Sequence, residues 1–194
     1  QQQATKVFSL KPWTPILAAA SVVLLVALFF LWPRNTEYSS SYGEQLVVLL
    51  PDSSEVILNA NSYVKYNAKS WQENREIELK GEGFFKVKKG STFRVKTDKG
   101  NVTVLGTSFT VKSWKDILDV HCFTGKVQVK QGDFSDILTK GQALRAEDER
   151  LIFKKSHSEN SPSWMEGITK LEDVSIPQVL NELENQFGLK TDYE

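Results

Sequence analysis

The stretch VLGTSFTV, Val104–Val111, changes its pattern in the middle. Before Gly106, Val102 and Val104 put apolar side chains at even positions, whereas Phe109 and Val111 put them at odd positions. Strand side chains alternate with a period of two, so a change of parity without a turn-like cluster indicates one inserted residue. Glycine in a strand commonly marks such a β-bulge. The pattern therefore predicts a distorted backbone at Gly106 and Thr107.

The region around this stretch, from Gln45 to about Lys155, reads as a succession of short strands. Clusters of Gly, Asp, Asn and Ser separate them, and apolar residues alternate with polar ones, as at Ile77 and Leu79. One face of each strand can then be buried while Lys and Glu cover the other. Short, regularly spaced strands of this kind predict an all-β sandwich or roll over residues 44–157.

A continuous apolar run, Ile16 to Trp32, precedes the strand region and contains no charged residue. Its 17 positions span about 25 Å as a helix, slightly short of a hydrocarbon core of about 30 Å. Trp13 and Trp32 at its ends suit the two membrane interfaces. The alternatives are a buried core helix and a cleavable signal peptide, and the signal peptide is less well supported because no small cleavage-site residues follow the run. The run predicts a single transmembrane helix over residues 15–33, with residues 34–43 as a linker.

The flanking charges predict how this helix is oriented. Lys6 and Lys11 precede the run and Arg34 follows it, which favours a cytoplasmic N-terminus, with residues 1–14 as a cytoplasmic stub. The bulk of the chain is then expected on the far side of the membrane. Because the sequence starts at Gln1 rather than Met, we expect a fragment of a longer protein that has a cytoplasmic domain upstream.

A helical period appears after the Ser-rich segment 158–163. Ser175 and Gln178 have the spacing of a capping box, and Gly188 fits a C-terminal cap. Strands are predicted on both sides of the helix, in GITKL and in LKTDYE, so residues 164–194 read as a truncated β-α-β interaction module. One apolar stripe runs along the helix with i, i+3, i+4, i+7 and i+11 spacing. Its residues are Ile176, Val179, Leu180, Leu183 and Phe187.

The sequence offers little catalytic or metal-binding chemistry. With 24 basic and 24 acidic side chains, no bulk charge favours nucleic acid. His121 and Cys122 are neighbours in a predicted strand, so they point to opposite faces and form neither a dyad nor a chelate. We expect Cys122 in the core and His121 partly exposed. No zinc spacing and no distinguished carboxylate pair occurs, so no metal, no cofactor and no enzyme acting on external substrates are predicted.

Several segments resemble, in sequence order, the periplasmic domain of the FecR-type family. They are LPDSSEVILNANSYVKY, REIELKGEGFFKV, FRVKT, VTVLGTSFTV, TGKVQV and TKGQALRA, within roughly Glu44 to Phe153. Two residues depart from the family pattern: Ser53 stands where Gly is common, and Gly83 where Ala is common. The segment from Trp164 resembles the module that follows in many relatives, similar to the short N-terminal domain of secretins and TonB-dependent receptors.

The resemblance implies a single-pass regulator of the bacterial inner membrane, with its N-terminus in the cytoplasm and its bulk in the periplasm. Such an anti-sigma factor relays the state of a TonB-dependent outer-membrane receptor to an extracytoplasmic-function sigma factor. The sigma factor is bound by a cytoplasmic domain that this sequence lacks. We expect the periplasmic signalling domain of the receptor to contact the C-terminal module. The residues expected there are Ile176, Val179, Leu183, Leu189 and Tyr193.

The resemblance also gives the Gly106-Thr107 dipeptide a second interpretation. Some relatives cleave themselves between Gly and Thr in this motif, by attack of the Thr hydroxyl on the Gly carbonyl. Gly106 and Thr107 are therefore the candidate residues for a single-turnover self-cleavage. The alternative is that Gly106 only bends the chain and Thr107 packs beside it.

Two other functions remain open from the sequence. The first is a cell-envelope module that binds a ligand or glycan in its β domain without any sigma-factor output. The second is an envelope enzyme on an all-β scaffold, which would need converging acid, base or metal groups. The expected fold is mainly β: one transmembrane helix, an all-β sandwich or roll, and the start of a small α+β (β-α-β) module.

Overall fold

The computed structural model describes residues 19–26, 35–147, 150–171 and 174–190. The chain forms two compact units, residues 1–34 and residues 35–194. In the first unit, residues 19–26 are helical (α1). The second unit contains thirteen β-strands, a 3-10 helix and a second α-helix among its described residues.

The predicted transmembrane helix is wrong for the described part of the chain, where no helix is long and apolar enough to cross a membrane. Helix α1 has eight described residues, which span only about 12 Å. The other positions of the predicted span, residues 15–18 and 27–33, lie outside the described residues. The prediction rested on the hydropathy of the run, which reports composition alone.

The strands of residues 35–194 follow each other with short connections, as the alternating pattern predicts. Strand β1 lies inside the segment that was predicted as a linker. The bounds are β1 Asn35–Ser39, β2 Leu46–Leu49, β3 Glu55–Leu58, β4 Tyr63–Asn67, β5 Arg75–Lys86, β6 Phe93–Thr97, β7 Gly100–Val104, β8 Ser108–Trp114, β9 Ile117–Cys122, β10 Lys126–Gln131, β11 Phe134–Thr139, β12 Gln142–Glu147 and β13 Arg150–Ser156.

Strand β5 belongs to two β-layers. Its first half pairs antiparallel with β4 and parallel with β6, in the order β1-β4-β5-β6-β7-β10-β11. Its second half pairs with β3 and β8, in the order β2-β3-β5-β8-β9-β12-β13. On the far side, β11 lies against β12 and β9. The two layers therefore make a nearly closed barrel-like sheet rather than an open sandwich.

The interior of this barrel is one apolar cluster to which both layers contribute. Alternate residues of β5, such as Ile77, Leu79 and Phe85, are fully buried in it. The ring of Phe85 stacks on that of Phe109 with centroids 5.1 Å apart, so β8 is fixed against β5. Cys122 also lies in this cluster while His121 points out of it, as predicted from their adjacent positions.

Gly81 is the point at which β5 passes from one layer to the other. Its φ is +92°, a conformation that residues with a side chain rarely adopt. A Cβ here would lie 2.4 Å from Ser62 Oγ and 2.9 Å from Ser62 Cα. The Ser62 hydroxyl accepts a hydrogen bond from the Glu82 N–H at 2.9 Å. Both the backbone angle and the close approach of Ser62 therefore require glycine.

The predicted β-bulge at Gly106 and Thr107 is wrong, because β7 and β8 are separate strands in different layers. Residues 105–107 connect Val104, at the end of β7, to Ser108, at the start of β8. Both strands bury their apolar residues in the same core, but they approach it from opposite sides. The parity of the pattern changes because the chain changes layer.

The segment after β13 forms a 3-10 helix, Ser163–Glu166, and then helix α2, Ile176–Phe187. The predicted helix ends are correct: Gln178 Oε1 accepts a hydrogen bond from the Ser175 N–H, and Gly188 caps the helix with φ +67°. The β-α-β prediction is wrong for the described residues, since residues 168–171 and 189–190 form no strand. Residues 191–194 of the predicted second strand lie outside the described part.

We expect Gly81→Ala to destabilise the protein more than Gly167→Ala. Both glycines have φ between +75° and +92°, but a Cβ at Gly167 would meet nothing within 4 Å. Gly167→Ala is therefore the control, and it should lower the free energy of unfolding only by the cost of the unfavourable backbone angle, about 1–3 kcal/mol. Urea unfolding measures both variants, and equal losses would show that the contact with Ser62 does not matter.

Candidate functional site

Four charged side chains stand side by side on the outer face of the second layer. The register places Glu82 opposite Lys112, Lys112 opposite Asp119, and Asp119 opposite Arg145. The charges alternate in sign across β5, β8, β9 and β12. Directly opposite residues of antiparallel strands have Cβ atoms about 4.5–5.5 Å apart, so neighbours of opposite sign can attract each other. We call these four residues the charge ladder.

The members of the charge ladder are held by short polar contacts. Nε and Nη2 of Arg145 donate hydrogen bonds to Oδ2 of Asp119 at 2.8 and 2.6 Å. Nζ of Lys112 lies 4.0 Å from Oε2 of Glu82, and Nδ2 of Asn59 donates to that same oxygen at 2.9 Å. The Asp119 side chain is only 6 % exposed, so these contacts must offset its loss of hydration.

Burial and charge compete in setting the pKa values of the ladder. Burial would raise the pKa of Asp119, but His121 and Arg145 outweigh it and lower the pKa to about 2. For Glu82, burial dominates over the attraction of Lys112 and raises the pKa. For Lys112, burial favours the neutral amine, yet the carboxylates of Glu82 and Glu182 raise the pKa. The structure thus favours a charged Asp119 and Lys112, whereas burial makes Glu82 easier to protonate than an exposed glutamate.

Two histidines lie beside the ladder, and they are the only ones in the sequence. Nε2 of His121 is 2.9 Å from Oδ1 of Asp119, an ion-pair distance, although the N–H is not aligned with that oxygen as in a hydrogen bond. His157 directly follows β13, and the centroid of its ring lies 5.3 Å from the ring centroid of His121. Burial opposes protonation of both rings, but Asp119 and Glu82 raise the pKa of His121. Burial and the charge of His121 lower the pKa of His157.

The segment after β13 covers this face. Trp164 of the 3-10 helix packs with Ile57, Phe84 and Phe123 in a second apolar cluster, and its carbonyl accepts a hydrogen bond from Gln45 Nε2 at 2.8 Å. Between the ladder, this segment and helix α2 lies a cavity of about 810 Å³. We call it the ladder cavity, and it is walled by the sheet on one side and by residues within 158–171 and 174–182 on the other.

Helix α2 contacts the β-layers with its polar face. Glu182 and Asn185 are its buried residues. Glu182 forms an ion pair with Lys112, and Oδ1 of Asn185 accepts a hydrogen bond from Nδ2 of Asn61 at 2.8 Å. Lys115 donates to Asn181 at the same surface. The helix therefore docks by hydrogen bonds and one ion pair rather than by its apolar stripe.

The predicted partner-binding residues of α2 lie mostly on the exposed side. Ile176 is 76 % exposed, Leu183 is exposed at the middle of the helix, and Val179 is half-buried. Leu189 is also exposed, just after the helix, whereas Tyr193 lies outside the described residues. We call Ile176, Leu183, Phe187 and Leu189 the exposed stripe. Within the described residues, Ile176, Leu183 and Phe187 lie on the exposed side of the helix, and their role in partner binding stays a prediction.

The predicted cleavage pair lies at a different place, in the connection between β7 and β8. Thr107 is buried and its Oγ1 donates a hydrogen bond to the Lys126 carbonyl at 3.1 Å. A Cβ at Gly106 would lie 2.7 Å from Lys89 Cα, and one at Gly125 would lie 3.2 Å from the Gly106 carbonyl oxygen. Two close backbone segments thus enclose the Gly106-Thr107 bond.

The sequence analysis missed the charge ladder and the cavity. Glu82, Lys112 and Arg145 look like ordinary outward residues of alternating strands, and only the pairing register brings them together. Trp164 was the one available signal, since a tryptophan just after a Ser-rich segment is an unusual residue for a linker. Within the described ranges, no group of three His, Cys, Asp or Glu side chains is arranged to hold a metal ion.

Comparison with known proteins identifies a matching family and similar solved structures. Residues 36–128 match the family model described as FecR protein. Two crystal structures of a candidate anti-sigma factor from Parabacteroides distasonis ATCC 8503 superpose with TM-scores of 0.74 and 0.72, at 29 % and 30 % identity. The alignments cover 80 % and 78 % of this chain, and 76 % and 74 % of those chains. No curated protein matches the chain.

We expect the pKa of His121 to lie above the ordinary histidine value of about 6.5, and the pKa of His157 to lie below it. The raised pKa of His121 means that its ion pair stabilises the fold fully below about pH 6.5, and that this stability is lost as pH rises through the folded pKa. The lowered pKa of His157 has the opposite sign: it contributes stability that is lost as pH falls below about 6.5.

A proton NMR titration of the two ring signals measures this directly, and His157→Gln assigns them. His121 should titrate at higher pH than His157, and Asp119→Asn should lower the pKa of His121. Coincident curves, or the reverse order, would contradict the pairing of His121 with Asp119.

Proposed function

The chain belongs to the FecR family of anti-sigma regulators, and on that premise we propose that it relays the state of a TonB-dependent outer-membrane receptor to an extracytoplasmic-function sigma factor. In this proposal residues 35–194 act in the periplasm and receive the signal. The sigma factor is bound by a cytoplasmic part of the protein outside residues 35–194. The regulator turns over no external substrate.

The observation that supports receptor binding is the orientation of helix α2. Its exposed stripe faces away from the β-layers, while Glu182 and Asn185 face them. An amphipathic helix normally buries its apolar face, and contiguous exposed apolar surface marks interaction sites in soluble domains. The occupant we propose is the periplasmic signalling domain of the receptor, which would cover Leu183 and Phe187.

We expect Leu183→Glu and Phe187→Glu to weaken binding of this signalling domain at least about tenfold, because each places a charge in an apolar contact. Neither side chain belongs to the polar docking face, so the fold should be retained. Calorimetric titration of the full chain with the purified receptor domain measures the effect.

Ile137→Glu is the matched control for these two variants. Ile137 is an exposed apolar residue on β11, 53 % exposed, and it is not part of the stripe. Ile137→Glu should leave the affinity for the receptor signalling domain unchanged. If the three variants bind equally well, receptor contact does not involve helix α2, and the relay would need another surface.

We also propose that the protein cleaves itself once between Gly106 and Thr107. Two features of the site support this step. Thr107 is buried with its Oγ1 hydrogen-bonded to the Lys126 carbonyl, and the backbone at Lys89 and Gly125 lies close enough to Gly106 and Thr107 to leave no room for a Cβ at Gly106. A bond confined in this way has few conformations open to it, which favours the geometry needed for attack on the preceding carbonyl.

The step is an N-to-O acyl shift followed by hydrolysis. Thr107 Oγ1 attacks the carbonyl carbon of Gly106, the C–N bond breaks, and the hydroxyl proton ends on the Thr107 nitrogen. The resulting ester joins Gly106 to the Thr107 side chain. Water then opens the ester: its oxygen ends in the Gly106 carboxylate, one of its protons restores the Thr107 hydroxyl, and the other protonates the new Thr107 amino group, so atoms and charges balance with water as the only added reactant.

Intact-mass measurement under denaturing conditions tests the cleavage. We expect the wild type to give two fragments that meet between Gly106 and Thr107, and Thr107→Ala to give one full-length species. Thr107→Ser keeps a hydroxyl and should still cleave, while Ser108→Ala removes the neighbouring hydroxyl and should change nothing. An uncleaved wild type would contradict the proposal. Gly106 would then serve only the crossing of the chain between the two layers.

A further inference from the structure

We propose that protonation of His157 loosens the segment after β13 from the second layer. We call this segment, residues 158–171 and 174–187, the cover. It carries Trp164, which packs on the outer face of the layer, and helix α2, which docks on the charge ladder through Glu182. The inference is separate from receptor binding and self-cleavage, because it concerns how tightly the cover is held and not what contacts the exposed stripe.

His157 lies where the chain leaves the sheet and the cover begins. It directly follows β13, and its backbone N–H donates a hydrogen bond to the Gly141 carbonyl at 2.7 Å. A Cβ at Gly141 would lie 2.9 Å from the His157 carbonyl oxygen, so the two backbones are in close contact. The backbone of His157 is therefore fixed to the β-layers, and opening of the cover starts immediately after it.

The ring of His157 lies at the contact between the sheet and the cover. Its centroid is 5.1 Å from that of Phe123 and 5.3 Å from that of His121. Phe123 in turn belongs to the apolar cluster in which Trp164 is buried. The backbone of Glu159, in the cover, also lies near the His157 ring. A change at this ring is therefore transmitted directly to the contacts that hold the cover.

Both ring nitrogens of His157 are buried, and neither has an aligned hydrogen-bond partner among the described residues. The neutral ring carries one N–H group, whereas the protonated ring carries two and a full charge. A buried charge without a dedicated partner is costly, and the ring regains water when the cover opens. Protonation therefore favours the open cover over the docked one.

Carboxylates line the ladder cavity beside His157, but each is already engaged by other groups. Asp119 contacts Arg145 and His121, Glu159 pairs with Lys170, and Glu182 pairs with Lys112. Glu82 accepts a hydrogen bond from Asn59 and lies 4.0 Å from Lys112. The cations of the cavity lining repel a further positive charge, and they are Lys112, Lys115, Arg145, Lys155 and Lys170.

The balance of these effects opposes a proton on His157. Burial and the charge of His121 lower its pKa, and they outweigh the Glu159 carboxylate and the backbone at Gln142 and Glu159, which favour the proton. A depressed pKa in the docked state means that docking is stabilised fully above the ordinary histidine pKa of about 6.5. This stabilisation is lost as pH falls through the pKa of the docked state.

His121 differs from His157 in where its acidic partner lies. Asp119 is on the same strand as His121, and Oδ1 of Asp119 is 2.9 Å from Nε2 of His121. This pair belongs to the sheet alone, so opening of the cover does not separate it. Its charged form also repels a proton on the neighbouring ring. The proton on His157 is therefore the one that is linked to opening of the cover.

Hydrogen exchange of the full chain at about pH 5.5 and about pH 7.5, on either side of the ordinary histidine pKa, tests the proposal. After correction for the intrinsic effect of pH on exchange, we expect the amides of Ser163–Glu166 and of α2 to open at least about threefold more at the lower pH. A difference of half a pKa unit between docked and open states corresponds to about this factor. Amides of β5 are the internal control and should not respond.

His157→Gln removes the proton acceptor and should abolish the response to pH. His121→Gln is the matched substitution: it removes the other ring but leaves His157, so acid should still increase opening. Thermal unfolding checks that both variants fold, and His157→Phe replaces His157→Gln if that variant is unfolded. Glu82→Gln tests the other buried acid of the cavity, because burial raises the pKa of Glu82.

Three outcomes would overturn the proposal. These are equal opening at both pH values, an undiminished response in His157→Gln, and loss of the response in His121→Gln. A response that survives in His157→Gln but disappears in Glu82→Gln would assign control of the cover to Glu82. None of these results depends on the binding of Leu183→Glu to the receptor domain or on the mass of the wild type, so this proposal fails separately from the proposed function.

Discussion

The structure depends on one strand being shared by two layers. Strand β5 enters the first layer with Arg75, bends at Gly81, and leaves through the second layer at Lys86. The bend is possible because Gly81 has no Cβ and Ser62 packs directly against its backbone. The Ser62 hydroxyl then binds the N–H of Glu82, which fixes the register of the second half. Glu82 thereby faces Lys112, and the rest of the charge ladder follows from the pairing of β8, β9 and β12.

Most strands could be predicted from the sequence because one-sided burial leaves a period-two pattern. The failures have physical reasons too. Strand β5 contains Gly81 and Gly83, and only the structure shows that the chain continues through both as one strand that changes layer. Strand β1 was predicted as linker because NTEYS contains no fully buried residue. The change of parity at Gly106 was detected, but a crossing between layers and a bulge leave the same local pattern.

The candidate site was less predictable, because its residues are distant in sequence and ordinary in type. Asp119 and Arg145 meet only through the register of β9 and β12. The apolar stripe of α2 was visible in the sequence, but whether it faces the β-layers or the solvent was not. Periodicity shows that a helix has two faces, but it does not show which face docks. Here the deciding contacts are those of Glu182 and Asn185 with partners on the β-layers, 70 and 124 residues away in sequence.

A helix that docks through polar groups can be released at a lower cost than one buried by an apolar face. Each hydrogen bond to the β-layers can be exchanged for one to water, so its net contribution is only about 0.5–1.5 kcal/mol. If α2 detaches from the β-layers, Glu82 still lies near Lys112. The positive charge of Lys112 is therefore not left buried without an acidic neighbour. Asn61 and Lys115 regain water in the same event. The charge ladder thus stabilises the docked helix through Glu182 without depending on it for the pairing of Lys112, which is a property that a regulated contact requires.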